Sequence, residues 1–162
     1  MTATTTAPHV PAPRMAQPVM LVPGAMEALQ ALHAATAKAG LRARLSELVN
    51  LRASQLNGCG VCVEMHAAAL KGMGERDERI WAVAAWREAP YFTDAERVAL
   101  ELTEELTRLA DRPAVVSDEL WERAAQHYDE TQLAALTIAI AGINVWNRLN
   151  VATRQVSGSY KG

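Results

Sequence analysis

From Pro23 to about Val151 apolar residues return every three or four positions, and nowhere do they alternate with polar ones. That period requires helices and excludes a half-buried sheet, so the expected fold is all-α, with about seven helices in a single domain over residues 23–162. Met26, Leu29, Leu32 and His33 share one face of a helix over residues 24–38, which Gly40 stops. Leu41, Leu45, Leu48, Leu51 and Leu56 fall near one stripe of a second, and Asn57-Gly58 is a turn signal. A third helix runs from about Cys59 to Lys71, and a fourth over residues 75–87 must end before Pro90. Thr93-Asp94-Ala95-Glu96 reads as a capping box opening a helix to about Ala110, with Val98, Leu102, Leu106 and Leu109 inward. Ser117 can cap a shorter helix to His127, and Asp129-Glu130-Thr131-Gln132 starts the last one.

Residues 1–22 read differently. They hold Thr4-Thr5-Thr6, four prolines and no acid, which predicts an irregular arm. They lack the basic start and apolar stretch of a secretory signal, and a single Arg14 is too few for a transit peptide, so a cytoplasmic protein is expected. With half its residues apolar and 21% charged, the chain is no disordered tail. A net charge of −2 argues against a general nucleic-acid binder. No apolar run reaches the roughly 18 residues of a membrane span; the longest candidate, residues 133–145, is broken by Gly142 and Asn144.

The two cysteines stand together as Cys59-Gly60-Val61-Cys62. A bond between them would close a tiny loop and remove little unfolded-state entropy, so redox chemistry or metal binding is the better reason for the pair. On a helix Cys59, Cys62 and His66, at i, i+3 and i+7, lie along one stripe. Cys59 falls at the helix start, where free N–H groups and the dipole lower a thiol pKa. His66, one turn beyond Cys62, can exchange a proton with it, and small Gly60 and Val61 leave the sulfurs approachable. Glu47, 12 residues before Cys59, can orient His66 from the preceding helix. Each residue has a blander reading beside this one: two inert buried thiols, a structural zinc set, a core histidine, a solvated glutamate paired with Arg44 or Arg52. His33 and His127 are read as structural, Trp81 and Trp86 as packing, and Glu101, Glu104, Glu105 and Arg108 as a solvated face.

The pattern Glu-x11-Cys-x2-Cys-x3-His, with the flanking text from Leu48 to Cys59 and from His66 to Lys71, resembles the motif of AhpD-like alkylhydroperoxidases in the carboxymuconolactone decarboxylase superfamily. The closing stretch from Trp146 to Val151 is similar too, and the resemblance spans residues 41–156. It implies a thiol-dependent peroxidase or disulfide reductase in which Cys62 attacks a small-molecule hydroperoxide and Cys59 resolves the sulfenic acid. Glu47 and His66 would be its proton relay. The redox-active Cys59–Cys62 disulfide would be the sole prosthetic device, with no cofactor and no metal, and a thioredoxin-like or lipoyl-bearing protein would be the reductant. Residue order alone favours Cys59 as the more acidic thiol. Where the AhpD relay has a further histidine, immediately before the second cysteine, this chain has Val61. The resemblance also implies a homo-oligomer, trimer or hexamer, and on that basis Asn144, Asn147, Arg148 and Asn150 are expected to bond between subunits. The alternatives are a non-redox lactone decarboxylase of the same superfamily, which works without the CxxC pair, and a dithiol that senses oxidants without turnover.

Overall fold

Every long helix starts or stops on a residue that the sequence supplies for the purpose. The computed structural model describes residues 12–111 and 116–158, and among these the regular structure is helical with no strand. The helices are α1 (Pro18–Leu21), α2 (Ala25–Lys38), α3 (Ala43–Leu56), α4 (Gly60–Gly72), α5 (Asp77–Ala82), α6 (Asp94–Thr107), α7 (Asp118–Ala125) and α8 (Glu130–Thr153). Reciprocal capping boxes open α6, between Thr93 and Glu96, and α8, between Asp129 and Gln132. Ser117 caps α7 by accepting from the Leu120 N–H.

Helix α3 is the centre of the domain. Leu45 and Val49 pack with Leu102 of α6, Leu120 of α7, and Leu136 and Ile140 of α8. Leu48 and Leu51 face the other way, against Leu70, Ile80, Val83, Trp86, Phe92 and Leu100. The leucines expected on one stripe therefore serve two cores, because a helix with neighbours on all sides is apolar on more than one face. Leu48, Val49 and Leu51 are essentially without exposure, and each such side chain contributes roughly 1.5–3 kcal/mol of burial free energy.

Between the cores a buried carboxylate ties three elements together. Glu104 on α6 accepts from Trp86 Nε1 at 2.8 Å, Arg52 Nε at 2.8 Å and Arg87 Nη1 at 2.6 Å. The solvated reading fails for Glu104, since Arg52 of α3 and Arg87 neutralise it inside the fold. Burial alone would raise its pKa, but Trp86, Arg87 and Arg52 outweigh that and hold it below the usual carboxylate range. Glu101, half-buried, pairs with Arg123 at 2.7 Å.

The fourth expected helix is cut short. Past Ala82 it tightens into a 3-10 turn, Val83–Ala85. Arg97 holds the irregular stretch that follows, its guanidinium donating to the carbonyls of Trp86, Arg87, Ala89 and Phe92. In the stretch expected to be irregular, α1 makes one helical turn with Val19 buried, and Pro18 starts it at a position where proline costs nothing. The arm is tied to the end of α8 by Arg14 N–H to Thr153 O at 2.8 Å and by Gln155 Nε2 to Met15 O at 3.0 Å. Residues 1–11, with the threonine run, lie outside the described residues. No described helix is long and apolar enough to cross a membrane.

Candidate active site

The turn between α3 and α4 places the first sulfur. Gly58, at φ +65°, adopts the left-handed conformation that ends α3, while the Cys59 N–H bonds Ser54 O at 3.0 Å and the Gly58 N–H bonds Gln55 O at 3.3 Å. This closing motif leaves Cys59 as the N-cap of α4 and Cys62 in its first turn. Gly60 between them lets the C-terminal tail lie close: a Cβ there would stand 2.9 Å from Ser157 Oγ, which would have to turn away. Val61 is buried with Ala53 and Ile143 beside both cysteines, so a packed apolar side chain stands where the AhpD relay has its further histidine.

Both cysteines are free thiols, and both are almost wholly buried, at 2% and 3% exposure. They are therefore not openly approachable, as the small residues around them had suggested. Cys62 instead borders a cavity of about 500 Å³ between α2, α3, α4 and α8, of a size suited to a small molecule. Met26, Leu29 and Leu32 of α2, Met65 of α4, and Ile138, Ile143 and Trp146 of α8 give it an apolar wall. Glu47, Asn50, His66, Asn150 and Gln17 gather with Cys62 as polar groups on the lining. Cys59 does not border this cavity.

His66 Nδ1 and Glu47 Oε2 are 2.7 Å apart, both mostly buried. The carboxylate fixes the ring and leaves Nε2 as the nitrogen free for a group in the cavity. Arg44 and Arg52, the alternative partners for Glu47, are engaged by Glu75 and Glu104. Among the described residues no group of three or more His, Cys, Asp and Glu is placed to hold a metal ion, so the zinc reading has no ligand set there.

The two thiols perturb each other. The S–H of Cys62 donates to Cys59, which brings the Cys59 thiol down to about 6 against the opposing effect of burial, and the Cys62 amide adds to this. Cys62 is pushed up by its bond to Cys59 and then by burial, while Asn150 pulls it the other way. The resting charge thus sits on Cys59, as residue order suggests, whereas the sulfur facing the cavity is Cys62.

Sequence reasoning missed an amide network around the dithiol. Asn150 Nδ2 donates to Cys62 Sγ at 3.2 Å, and Gln17 Nε2 donates to Asn150 Oδ1 at 2.7 Å. Asn144 and Asn147 accept from Asn57 Nδ2 at 3.0 and 2.8 Å, and Asn147 also donates to Ser54 Oγ. The expected bonds between subunits are therefore made within the chain by Asn144, Asn147 and Asn150, and Arg148 bonds back to Asn144. Their three-residue spacing was the available signal, since it puts one amide per turn on a single face toward α3 and α4. Trp146 and His33 border the cavity, Trp86 is a core residue, and Trp81 is 71% exposed.

Comparison with known proteins adds an independent line. The model of the carboxymuconolactone decarboxylase family matches residues 23–105. The uncharacterized protein YdfG of Bacillus subtilis (strain 168) is 36% identical over 132 residues, which cover 82% of this chain and 88% of YdfG. An Agrobacterium tumefaciens protein of unknown function, described with its crystal structure as a candidate antioxidant defence protein AhpD, superposes with a TM-score of 0.83 at 32% identity, over 90% of this chain and 98% of its own. The debrominase Bmp8, solved in complex with 2,3,4-tribromopyrrole, has a TM-score of 0.72 at 18% identity, over 86% of this chain and 74% of its own. At that identity the likeness is one of fold.

Proposed function

The chain belongs to the carboxymuconolactone decarboxylase family, in its AhpD-like part, and from that premise we propose that it is a dithiol peroxidase reducing organic hydroperoxides. One observation carries the proposal: Cys62 stands on the wall of a small-molecule cavity beside the His66–Glu47 pair, with Cys59 behind it as a ready base. A hydroperoxide enters with its organic group against the apolar wall. The proton of Cys62 passes to Cys59, and the Cys62 thiolate attacks the terminal peroxide oxygen. The O–O bond breaks, Cys62 becomes the sulfenic acid, and the departing alkoxide takes a proton delivered through His66. The Cys59 sulfur then attacks Cys62, the Cys59 proton leaves with the hydroxide as water, and a disulfide remains. Two thiols are oxidised and one hydroperoxide is reduced to an alcohol and water. A dithiol reductant, lipoyl-bearing or thioredoxin-like, restores the pair.

The test mixes reduced protein with cumene hydroperoxide in stopped flow and weighs the product by mass spectrometry. The expected result is loss of two hydrogens per chain, a disulfide between Cys59 and Cys62, and no reaction in Cys62→Ser. Oxidation at an unchanged rate in Cys62→Ser overturns the reading. Repeated turnover with dihydrolipoamide separates a peroxidase from a sensor, which would be oxidised once and consume nothing further.

A further inference from the structure

Cys62 is reached by a line of hydrogen bonds that does not pass through His66. Asn150, 5% exposed on α8, points Nδ2 at Cys62 Sγ, and its Oδ1 is taken by Nε2 of Gln17, which belongs to the arm before α1. A carboxamide has one donating and one accepting end. With Oδ1 engaged by the Gln17 N–H, only the N–H end of Asn150 is left for the sulfur. The other oxygen of this pair, Gln17 Oε1, is buried and has no hydrogen-bond partner among the described residues, so there the bond to Asn150 directs the Gln17 side chain in the cavity wall.

We infer that Gln17 and Asn150 are positioning residues of the dithiol: the arm locks the Asn150 amide so that it donates to Cys62 and lets that sulfur take the charge when a proton moves to Cys59. This purpose rests on the peroxidase reading, but its test does not. An N–H aimed at sulfur favours the thiolate over the thiol, and it opposes the bond to Cys59 and the burial that keep Cys62 protonated. The titratable groups around Cys62 are Cys59 behind it and, on the cavity wall, His66 of α4, Glu47 of α3 and His33 of α2, while α8 contributes neutral Asn147 and Asn150 at the sulfurs.

The experiment follows iodoacetamide alkylation of Cys62 against pH in a Cys59→Ser background, where one thiol reports and the histidines and Glu47 are common to every variant. Asn150→Ala should raise the alkylation midpoint by about one pH unit or more, the share of a hydrogen bond to a charged group. Gln17→Ala should raise it less, by loosening the amide. Gln17→Glu should raise it at least as far as Asn150→Ala, because a carboxylate only accepts and so turns the Asn150 N–H away from sulfur. A purely structural role would lower the urea midpoint of Gln17→Ala and leave its alkylation midpoint in place, the uncharged variant being free of the field that a new carboxylate adds. An unchanged midpoint in Gln17→Glu, with cooperative urea unfolding retained, overturns the inference. If Asn150→Ala does not fold, the Gln17 variants decide. Shifted midpoints in a protein that consumes no hydroperoxide would sustain this inference and overturn the peroxidase reading.

Discussion

Replacing Cys62 by alanine removes the donor that stabilises the Cys59 thiolate. Cys59 is held at about 6 against an ordinary thiol value of 9.0, so at pH 7 the reduced chain should carry close to one thiolate. The largest contribution is the Cys62 S–H, and a hydrogen bond to a charged group is worth about 1.5–3 kcal/mol, or roughly one to two pH units. In Cys62→Ala the Cys59 midpoint should therefore climb to about 7–8, with burial pushing it higher still. Thiolate absorbance near 240 nm, followed against pH on reduced protein, reads this directly. Stability should move with it. Between about 6 and 9 the unfolded chain binds more protons at Cys59 than the folded one, so the reduced protein gains stability as pH rises through that window. Cys62, pushed up, does the reverse above the ordinary thiol range. Urea unfolding of reduced protein should thus show a maximum near pH 9, absent from the oxidised protein, in which neither thiol titrates. No thiolate at pH 7, or an unmoved midpoint in Cys62→Ala, would refute the reasoning.

Glu47→Gln should slow hydroperoxide consumption by roughly 100-fold, the scale of a general acid–base contribution, and His66→Ala by a similar factor. Because the two act as one unit, the double variant should lose no more than either alone in the same stopped-flow assay. Glu104→Gln should cost about 3 kcal/mol at pH 7, since it leaves the Arg52 guanidinium inside the fold without its counter-charge. Its carboxyl is depressed, so that stabilisation is present above the ordinary value of 4.5 and lost as pH falls through the folded value; urea midpoints of the two proteins should converge as the solution is acidified below that. Trp146→Ala should raise KM for cumene hydroperoxide well above any effect on hydrogen peroxide, which is too small to touch the apolar wall; equal effects on both would remove Trp146 from substrate binding.

What was legible in the chain was local. Capping boxes, the Asn57-Gly58 turn and the phase of Cys62 with His66 each depend on residues within two turns, and the structure has them where spacing puts them, whereas Cys59 caps the helix and stands off the cavity. The Glu47–His66 contact needed only the assumption that successive helices pack face to face. What stayed hidden depends on partners far along the chain. Glu104 sits among other charges on α6 and looks solvated until Arg52 and Trp86 arrive from other elements. Asn144, Asn147 and Asn150 look like an interface because their partners, Asn57, Ser54 and Cys62, lie some 90 residues away. The face of α2 read as core is an open wall: Leu32 is 39% exposed, and Met26, Leu29 and His33 border the cavity.

Asn57-Gly58 has a chemical liability as well as a turn to make. An asparagine before glycine ages when the next backbone nitrogen attacks its side-chain amide, closing a succinimide that opens to aspartate or isoaspartate. In the folded chain the attacking nitrogen of Gly58 is directed at Gln55 O, and the Asn57 amide is pinned to Asn144 and Asn147. The fold therefore acts as a preservative for this bond, and damage there accumulates in proportion to the time the α3–α4 turn spends open. Once formed, the carboxylate could no longer donate to either asparagine and would set a negative charge against their oxygens, two residues from Cys59. Each chain would thus carry, beside its reactive sulfurs, a slow record of how often that turn has come apart.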